Sequence, residues 1–341
     1  MRHGGQILVD HLQAEGVRRV FSVPGESFLA ALDGLHDSAI RNIVCRHEGG
    51  AAMMAEAHAK LTGQVGIALV TRGPGASNAA AGIHIARQDS TPMILFVGQI
   101  DTGHRDREAF QEVDYRATFG PLAKWATEVD DIQRLPEYLS RAFHIARSGR
   151  PGPVVMALPE NMLSARADVP SLSPRVPPVA SAPDAQPVWN ALKTARKPLL
   201  VVGGPHWSAQ AAQDLADVGA ASGLPVAVTF RRQDRIDNRH PHYAGDLGVG
   251  MNPALAQRLR DADCLLLLGT RMGDIATDGY SLIDPAAPGK TLIHIHADAD
   301  ELGRVFRPDV AIQATAPAMA AALAASIPQG LPDWSDWTRA A

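Results

Sequence analysis

Short apolar runs that alternate with helical segments limit how this chain can fold. Residues 65–70 and 93–97 are nearly continuous apolar runs, which are typical of strands buried on both faces of a parallel sheet. The segment between them has small and apolar residues at helical spacing over 76–87. Parallel strands need crossover connections, which are usually helices. The alternation continues to about residue 160, and it predicts a doubly wound α/β domain.

The second half of the chain starts a new alternation after a change in composition. Residues 164–187 contain six prolines among Ser, Ala and Val, which is typical of a semi-extended linker. Further apolar runs follow at 199–202, 225–228, 264–268 and 291–293. The length of 341 residues is enough for two domains. We therefore expect two doubly wound parallel-sheet domains, over 1–163 and 188–328, joined by this Pro-rich linker, with 329–341 leading out of the second.

Composition and charge exclude several classes of protein. The formal net charge is −4, and Lys and Arg form no cluster, so nothing indicates a nucleic-acid partner or a membrane surface. Cys45 and Cys264 each lie in or beside an apolar run, which predicts two buried free thiols in a reducing compartment. The first residues lack the long apolar core of a signal peptide. We expect a cytoplasmic protein.

A carboxylate stands at one of the predicted strand-to-helix turns. The apolar run 43–45 leads through Glu48 into a helical pattern over 52–60. In an open parallel sheet, ligands bind outside the carboxyl ends of the strands, so Glu48 lies where chemistry is usually placed. Alternatively, Glu48 is a helix-start acid that the amide dipoles of the first turn stabilise. Position alone leaves both interpretations open.

A second turn, 72–78, is rich in glycine. Gly73 and Gly75 precede a helix, where a phosphate can bind. Asn78 stands where the dinucleotide fingerprint needs a third Gly or Ala, so a nucleotide site is not predicted. The string from Gly75 to Ala79 also imitates the turn that exposes a nucleophilic serine in hydrolases. A hydrolase that uses Ser77 therefore remains an alternative.

Two pairs of histidines have the spacing at which side chains share one face of a strand. They are His240 with His242 and His294 with His296. A pair without a third ligand is usually structural, so the sequence predicts no metal site.

Five segments of the first domain resemble a known family in form and in order. They are Pro24-Gly25-Glu26, Arg46-His47-Glu48, Thr71-Arg72-Gly73-Pro74-Gly75-Ala76-Ser77-Asn78, Phe110-Gln111-Glu112 and AFHIARSGRPGPV over 142–154. This domain resembles the N-terminal, pyrimidine-binding domain of thiamine-diphosphate enzymes of the acetolactate synthase type. The second domain looks like their central domain, through His240-Pro241, Gly269-Thr270-Arg271 and Leu292-Ile293-His294-Ile295.

The resemblance implies a catalytic role for Glu48. It would be the acid that hydrogen-bonds ring nitrogen N1′ of the cofactor's aminopyrimidine, and sharing a proton there helps the cofactor to lose its own proton at C2. The implied cofactor-binding residues are Pro24, Gly25, Glu48, Thr71, Gly73 and Asn78. Phe110 and Gln111 would line the substrate pocket, with Gln111 as a hydrogen-bonding group.

The resemblance also implies Mg²⁺, which holds the cofactor's diphosphate in a third domain that carries a Gly-Asp-Gly motif. In this sequence Gly245-Asp246 and Gly273-Asp274 are followed by Leu247 and Ile275, so we expect that domain to be absent from it. Ile275 also stands where relatives carry an arginine that helps to bind a 2-keto acid. Some members bind FAD, but Gly203-Gly204 with Arg271 are too little to predict it here.

These implications lead to one functional expectation and two alternatives. We expect a thiamine-diphosphate-dependent carboligase or lyase, because pyruvate-type decarboxylases carry paired histidines near the Phe110-Gln111 position and this chain does not. The substrate would be a 2-keto acid or an aldehyde, and the assembly a homodimer or a higher homo-oligomer. Whether this chain is an enzyme by itself is left open. The alternatives are a non-catalytic assembly module of the same family and the Ser77 hydrolase.

Overall fold

A computed structural model describes residues 1–170 and 182–339. The chain divides into two compact units, Met1–Pro178 and Val179–Ala341. Both units are α/β with a six-stranded parallel sheet, so the predicted fold class is confirmed. Most of the predicted linker, residues 171–181, lies outside the described residues, and the domain boundaries stay a prediction. Within the described ranges no helix combines the length and the apolar character needed to cross a membrane.

The first unit contains eight described strands and seven helices. The strands are β1 Arg2–His3, β2 Arg19–Ser22, β3 Arg41–Val44, β4 Gly66–Val70, β5 Met93–Gln99, β6 Trp125–Glu128, β7 Pro153–Pro159 and β8 Arg166–Ala167. The helices are α1 Gly4–Ala14, α2 Leu29–His36, α3 Glu48–Thr62, α4 Pro74–Asp89, α5 Tyr115–Phe119, α6 Leu135–Arg147 and α7 Glu160–Ser164. Strands β1 and β8 form a small antiparallel pair.

The sheet of the first unit has the strand order β3-β2-β4-β5-β7-β6. All its neighbouring strands are parallel. Along β5, Ile94 and Phe96 belong to one hydrophobic core and Leu95 and Val97 to another, because successive side chains point to opposite faces. The chain reverses its direction across the sheet between β2 and β4. In such sheets that point opens a crevice at the carboxyl ends of the strands.

The second unit repeats this architecture with the strand order β11-β10-β9-β12-β13-β14. Its strands are β9 Pro198–Val202, β10 Val226–Thr229, β11 Tyr243–Leu247, β12 Cys264–Leu268, β13 Thr291–His296 and β14 Val310–Gln313. Its helices are α8 Gln186–Leu192, α9 Ala209–Ser222, α10 Pro253–Asp261, α11 Ala316–Ala325 and α12 Ser335–Arg339. Trp334 is buried and donates from Nε1 to the Ala195 carbonyl at 3.0 Å, so the segment before α12 packs on this unit.

One prediction about the cysteines is wrong. Cys264 is buried within β12, as expected, but Cys45 is only partly buried. Cys45 follows β3, which is an edge strand of its sheet, and its thiol lies 3.8 Å from the Met54 sulfur among exposed atoms. An apolar run at a sheet edge therefore does not ensure burial.

Candidate functional site

The predicted site residues of the first unit lie on the turns that follow four of its strands. Pro24 and Gly25 follow β2, Glu48 follows β3, the turn 71–73 follows β4, and Phe110 and Gln111 follow β5. All these strands are parallel, so the turns meet at one edge of the sheet. The reversal of strand order between β2 and β4 lies among them, where ligands bind in folds of this kind.

Glu48 is the first residue of α3 and is partly buried. The cap of the helix is His47, whose Nδ1 accepts the Gly49 N–H at 3.0 Å. The Glu48 carboxylate instead accepts a hydrogen bond from Asn78 Nδ2 on α4, at Oε2 and 3.0 Å. Its Oε1 has no hydrogen-bond partner among the described residues. The acid therefore lies in the first turn, as the helix-start interpretation requires, but one of its oxygens remains available to a ligand.

Small residues let α3 and α4 approach closely enough for this bond. A Cβ atom on Gly82 would lie 2.5 Å from the Ala52 Cβ, and one on Gly49 would lie 3.1 Å from the Asn78 carbonyl oxygen. The first distance leaves no room for a side chain, and at the second the neighbouring atoms would have to shift. The small residues thus allow the close packing of the two helices that carry Glu48 and Asn78.

The turn between β4 and α4 has a backbone that needs glycine. Gly73 has φ 60° and ψ −115°, a conformation that residues with a Cβ rarely adopt. A Cβ there would also lie 2.8 Å from the Gln111 Cβ. The Gly73 N–H donates to the hydroxyl of buried Tyr115 at 2.7 Å. Burial raises the pKa of Tyr115 to about 12, so this hydroxyl stays neutral.

The turn after β2 packs directly on the turn after β4. A Cβ on Gly25 would lie 2.6 Å from the Thr71 Cβ, so only glycine fits there. The Ser27 and Thr71 hydroxyls are 2.9 Å apart and form a hydrogen bond. A Cβ on Gly75 would lie 2.7 Å from Thr71 Cγ2 and 3.4 Å from Glu48 Oε1. Thr71 therefore connects the two turns, and both Thr71 and the Glu48 carboxylate border Gly75.

Arg72 is a residue of this edge whose role the sequence reasoning missed. It is only 7 % exposed, and its guanidinium donates to Glu160 at 2.9 Å and to Glu26 at 3.2 Å. Its Nε is buried without a partner among the described residues. Glu26 follows β2 and Glu160 follows β7, so Arg72 ties the ends of three strands. In the sequence, the only indication of this role was the position of an arginine inside a Gly-rich turn.

The loop that carries Phe110 and Gln111 is compact and strained. Asp106, Glu108 and Gln111 have φ values of 61°, 56° and 65°, which side chains disfavour and which cluster at functional sites. The Glu112 carboxylate accepts the N–H groups of Asp106 at 2.8 Å and of Ala109 at 3.0 Å. These bonds hold the pKa of Glu112 below its usual value.

The same loop presents Phe110 to solvent, with 74 % of the residue exposed. Its neighbour Gln111 lies against Gly73. Loops that bind a ligand or a protein partner commonly expose an aromatic side chain, as this loop does at Phe110.

Ser77 lies inside α4 and not at the strand-to-helix junction. Its hydroxyl donates to the Gly73 carbonyl at 3.1 Å, a bond along the first turn of the helix. A hydrolase serine needs a strained position on the turn itself and a base that takes its proton. The geometry does not favour the hydrolase alternative.

The second unit places its predicted residues at the carboxyl edge of its own sheet. Gly203 and Gly204 follow β9, and Arg271 follows β12, on either side of the strand-order reversal. The carbonyls of the two glycines are already bonded, to Trp207 Nε1 at 3.0 Å and to an Arg235 Nη atom at 3.3 Å. This arrangement gives no support for FAD binding.

The pair His294 and His296 is hydrogen-bonded within the protein. His294 Nε2 lies 2.9 Å from the Thr270 carbonyl, and His296 Nδ1 accepts the Asp298 N–H at 3.0 Å. The rings of His240 and His242 are 5.5 Å apart. Over residues 1–170 and 182–339, no group of three or more His, Cys, Asp or Glu side chains could hold a metal ion.

Comparison with known proteins gives both units relatives. Residues 2–118 match the N-terminal TPP binding domain of thiamine pyrophosphate enzymes. Residues 185–323 match the central domain of the same enzymes. The two matches thus cover most of each unit.

Individual relatives agree with the domain matches. The chain is 33% identical over 323 residues to acetolactate synthase isozyme 2 large subunit of Escherichia coli, a match that covers 94% of this chain and 58% of the relative. It is 34% identical over 317 residues to the acetolactate synthase of Mycobacterium bovis, which covers 91% of this chain and 51% of the relative. The chain thus spans about half the length of the curated relatives it matches. Because both of its units match successive domains of the same enzymes, the chain belongs to the thiamine pyrophosphate enzymes.

Proposed function

We propose that the first unit binds the aminopyrimidine ring of thiamine diphosphate and that the Glu48 carboxyl meets ring nitrogen N1′. The observation that carries this proposal is the geometry of Glu48. Asn78 holds one carboxylate oxygen at 3.0 Å, and the other has no partner among the described residues. A carboxyl group with one free oxygen can share a proton with a ring nitrogen.

The turns around Glu48 supply the rest of the proposed cofactor site. Thr71 packs between Gly25 and Gly75, and Gly73 fixes the start of α4. Together with Pro24 and Asn78 they would border the aminopyrimidine. Their close packing supports the proposal, since a site held by packed backbone keeps its geometry when a ligand binds.

When bound, thiamine diphosphate supplies the carbon that adds to a carbonyl group. The chain's own residues then have two tasks. Asn78 orients the Glu48 carboxyl, and Glu48 holds or releases the proton at N1′. Mg²⁺ is proposed as the ion that binds the diphosphate, but the described residues offer no group of ligands for it.

We infer carboligation or a related lyase reaction on a 2-keto acid or an aldehyde. The support is the match to acetolactate synthase large subunits over 91–94% of this chain. Phe110 and Gln111 would contact the substrate, because their loop lies against Gly73 and so borders the proposed cofactor site.

A homodimer is part of the same proposal. Val44, Met53 and Met54 are 62 %, 43 % and 44 % exposed on the segment that carries Glu48. Exposed apolar side chains of this kind mark surfaces that bind protein. This observation also favours the second candidate, an assembly module of the same family without catalysis of its own.

Saturation-transfer NMR tests the cofactor site. In the presence of the wild-type chain, we expect transfer to the pyrimidine methyl and ring protons of thiamine diphosphate. A hydrogen bond to a charged group contributes about 1.5–3 kcal/mol, so Glu48→Ala should weaken binding about 10–100-fold. Glu137→Ala, at an exposed acid of α6, is the matched control and should bind as the wild type does. Equal transfer from all three proteins would contradict the proposal.

A further inference from the structure

Tyr115 connects two parts of the proposed site that are far apart in sequence. It is the first residue of α5, and it is only 2 % exposed. Its hydroxyl accepts the N–H of Gly73, 42 positions earlier, at 2.7 Å. Gly73 caps α4, the helix whose Asn78 holds the Glu48 carboxylate. The phenol therefore contacts the element that orients the proposed catalytic acid.

The position of Tyr115 is itself fixed by the end of the Phe110–Gln111 loop. Asp114 caps α5, because its carboxylate accepts the N–H groups of Arg116 at 2.9 Å and Ala117 at 3.1 Å. The neighbouring Val113 carbonyl accepts from the buried Gln99 side chain at 2.9 Å. A movement of the loop at this end would thus displace the Tyr115 ring.

A second contact joins the loop to the same glycine. A Cβ on Gly73 would lie 2.8 Å from the Gln111 Cβ, so the Gln111 side chain rests on the Gly73 backbone. Gly73 therefore contacts the loop through Gln111 and is hydrogen-bonded to Tyr115. Replacing the hydroxyl would leave a buried N–H without its partner, and buried amides are rarely unpaired.

We propose that Tyr115 is a positioning residue that couples the Phe110–Gln111 loop to the Gly73 turn and, through Asn78, to Glu48. The inference rests on the proposed function, since it assigns the loop to the substrate and the turn to the cofactor. Tyr115 touches neither ligand. Its contacts hold the two segments in one fixed arrangement, so that a displacement of one segment displaces the other.

Amide hydrogen exchange of the full chain tests the coupling. Tyr115→Phe removes one oxygen and leaves the ring in place. We expect faster exchange both in segment 71–78 and in segment 105–114, and at least a several-fold weaker binding of thiamine diphosphate by saturation-transfer NMR. The control is Tyr138→Phe on α6, where the ring stacks on Trp125 and the hydroxyl has no hydrogen bond to a described residue. It should change neither measurement.

A measurement on the wild type alone guards against a variant that folds poorly. Adding thiamine diphosphate should slow exchange in segments 71–78 and 105–114 together. Protection of 71–78 without 105–114, or unchanged exchange of the loop in Tyr115→Phe, would overturn the inference. A wild-type chain that gives no saturation transfer to thiamine diphosphate would refute the proposed function instead, and the coupling would then be decided by the exchange of the two variants.

Discussion

At the scale of single residues, the site depends on contacts that no local pattern reveals. Glu48 and the glycines of the two turns were predicted, because strand-to-helix turns are visible in the sequence. The partners of Arg72 and Gly73 were not. Arg72 meets Glu160 88 positions later, and Gly73 meets Tyr115 42 positions later. Such pairs depend on the order of strands in the sheet, which residue spacing along the chain does not give.

Arg72 should contribute to stability more than an exposed arginine does. Arg72→Met leaves Glu26 and Glu160 without their cation, while the methionine keeps much of the packing. We expect the free energy of unfolding in urea to fall by about 1–2 kcal/mol, a value reduced because Glu26 is exposed and Glu160 is partly exposed. Arg134→Met, which removes the exposed pair with Glu137, should cost about 0.5 kcal/mol or less. Equal losses in the two variants would contradict the role of Arg72.

At the scale of elements, the interior strands of both sheets were predicted, whereas the two edge strands of the second unit were missed. The strands β5 and β12 are buried throughout, so they appear as continuous apolar runs. In contrast, β11 and β14 lie at the two edges of their sheet and are largely half-exposed. Edge strands need fewer apolar residues, and β11 contains Gly245 and Asp246. Their sequences therefore resemble those of loops.

A histidine of α1 that is buried against α6 should make the free energy of unfolding depend on pH. His11 is buried beside Phe143, and neither ring nitrogen has a hydrogen bond among the described residues, although Nε2 lies 3.9 Å from Glu15 Oε1. Burial lowers its pKa from 6.5, although Glu15 opposes the shift. Below about pH 6.5 the unfolded chain binds a proton that the folded chain still excludes. The contribution of neutral His11 is therefore complete above that pH and is lost as the pH falls toward the lowered pKa.

Urea unfolding between about pH 7.5 and 5.5 checks this sign. The wild type should lose stability toward the acidic end. His11→Phe keeps an aromatic ring beside Phe143 and removes the titrating group, so its slope over the same interval should be smaller. A variant slope as steep as that of the wild type would assign the pH dependence to other groups.

At the scale of the whole molecule, the two units carry the domain order of the family. Each has a six-stranded parallel sheet with a reversal of strand order, and each matches one domain of thiamine pyrophosphate enzymes. The resemblance of the turn motifs predicted this organisation. Burial could not be predicted for Cys45, since an edge position is set by the assembled sheet.

The exposed apolar side chains predict self-association. Val44, Met53 and Met54 lie on β3 and on α3, beside the proposed site. We expect multi-angle light scattering to give the mass of a dimer at micromolar concentrations. Met53→Lys should shift the chain toward the monomer, whereas Gln133→Lys, which adds the same charge at an exposed polar residue outside β3 and α3, should not. A monomer at every concentration would contradict this prediction.

Hydrogen–deuterium exchange at C2 of added thiamine diphosphate tests whether the Glu48 carboxyl handles a proton at N1′. The wild-type chain should accelerate this exchange over buffer alone. Glu48→Gln keeps the size of the side chain but cannot share the proton, so we expect exchange slowed by about 10²–10⁴-fold. Its thermal midpoint should change little, since a helix-start acid contributes about 1 kcal/mol or less. Exchange as fast as that of the wild type, together with a lowered midpoint, would make Glu48 a structural residue and contradict its proposed role at N1′.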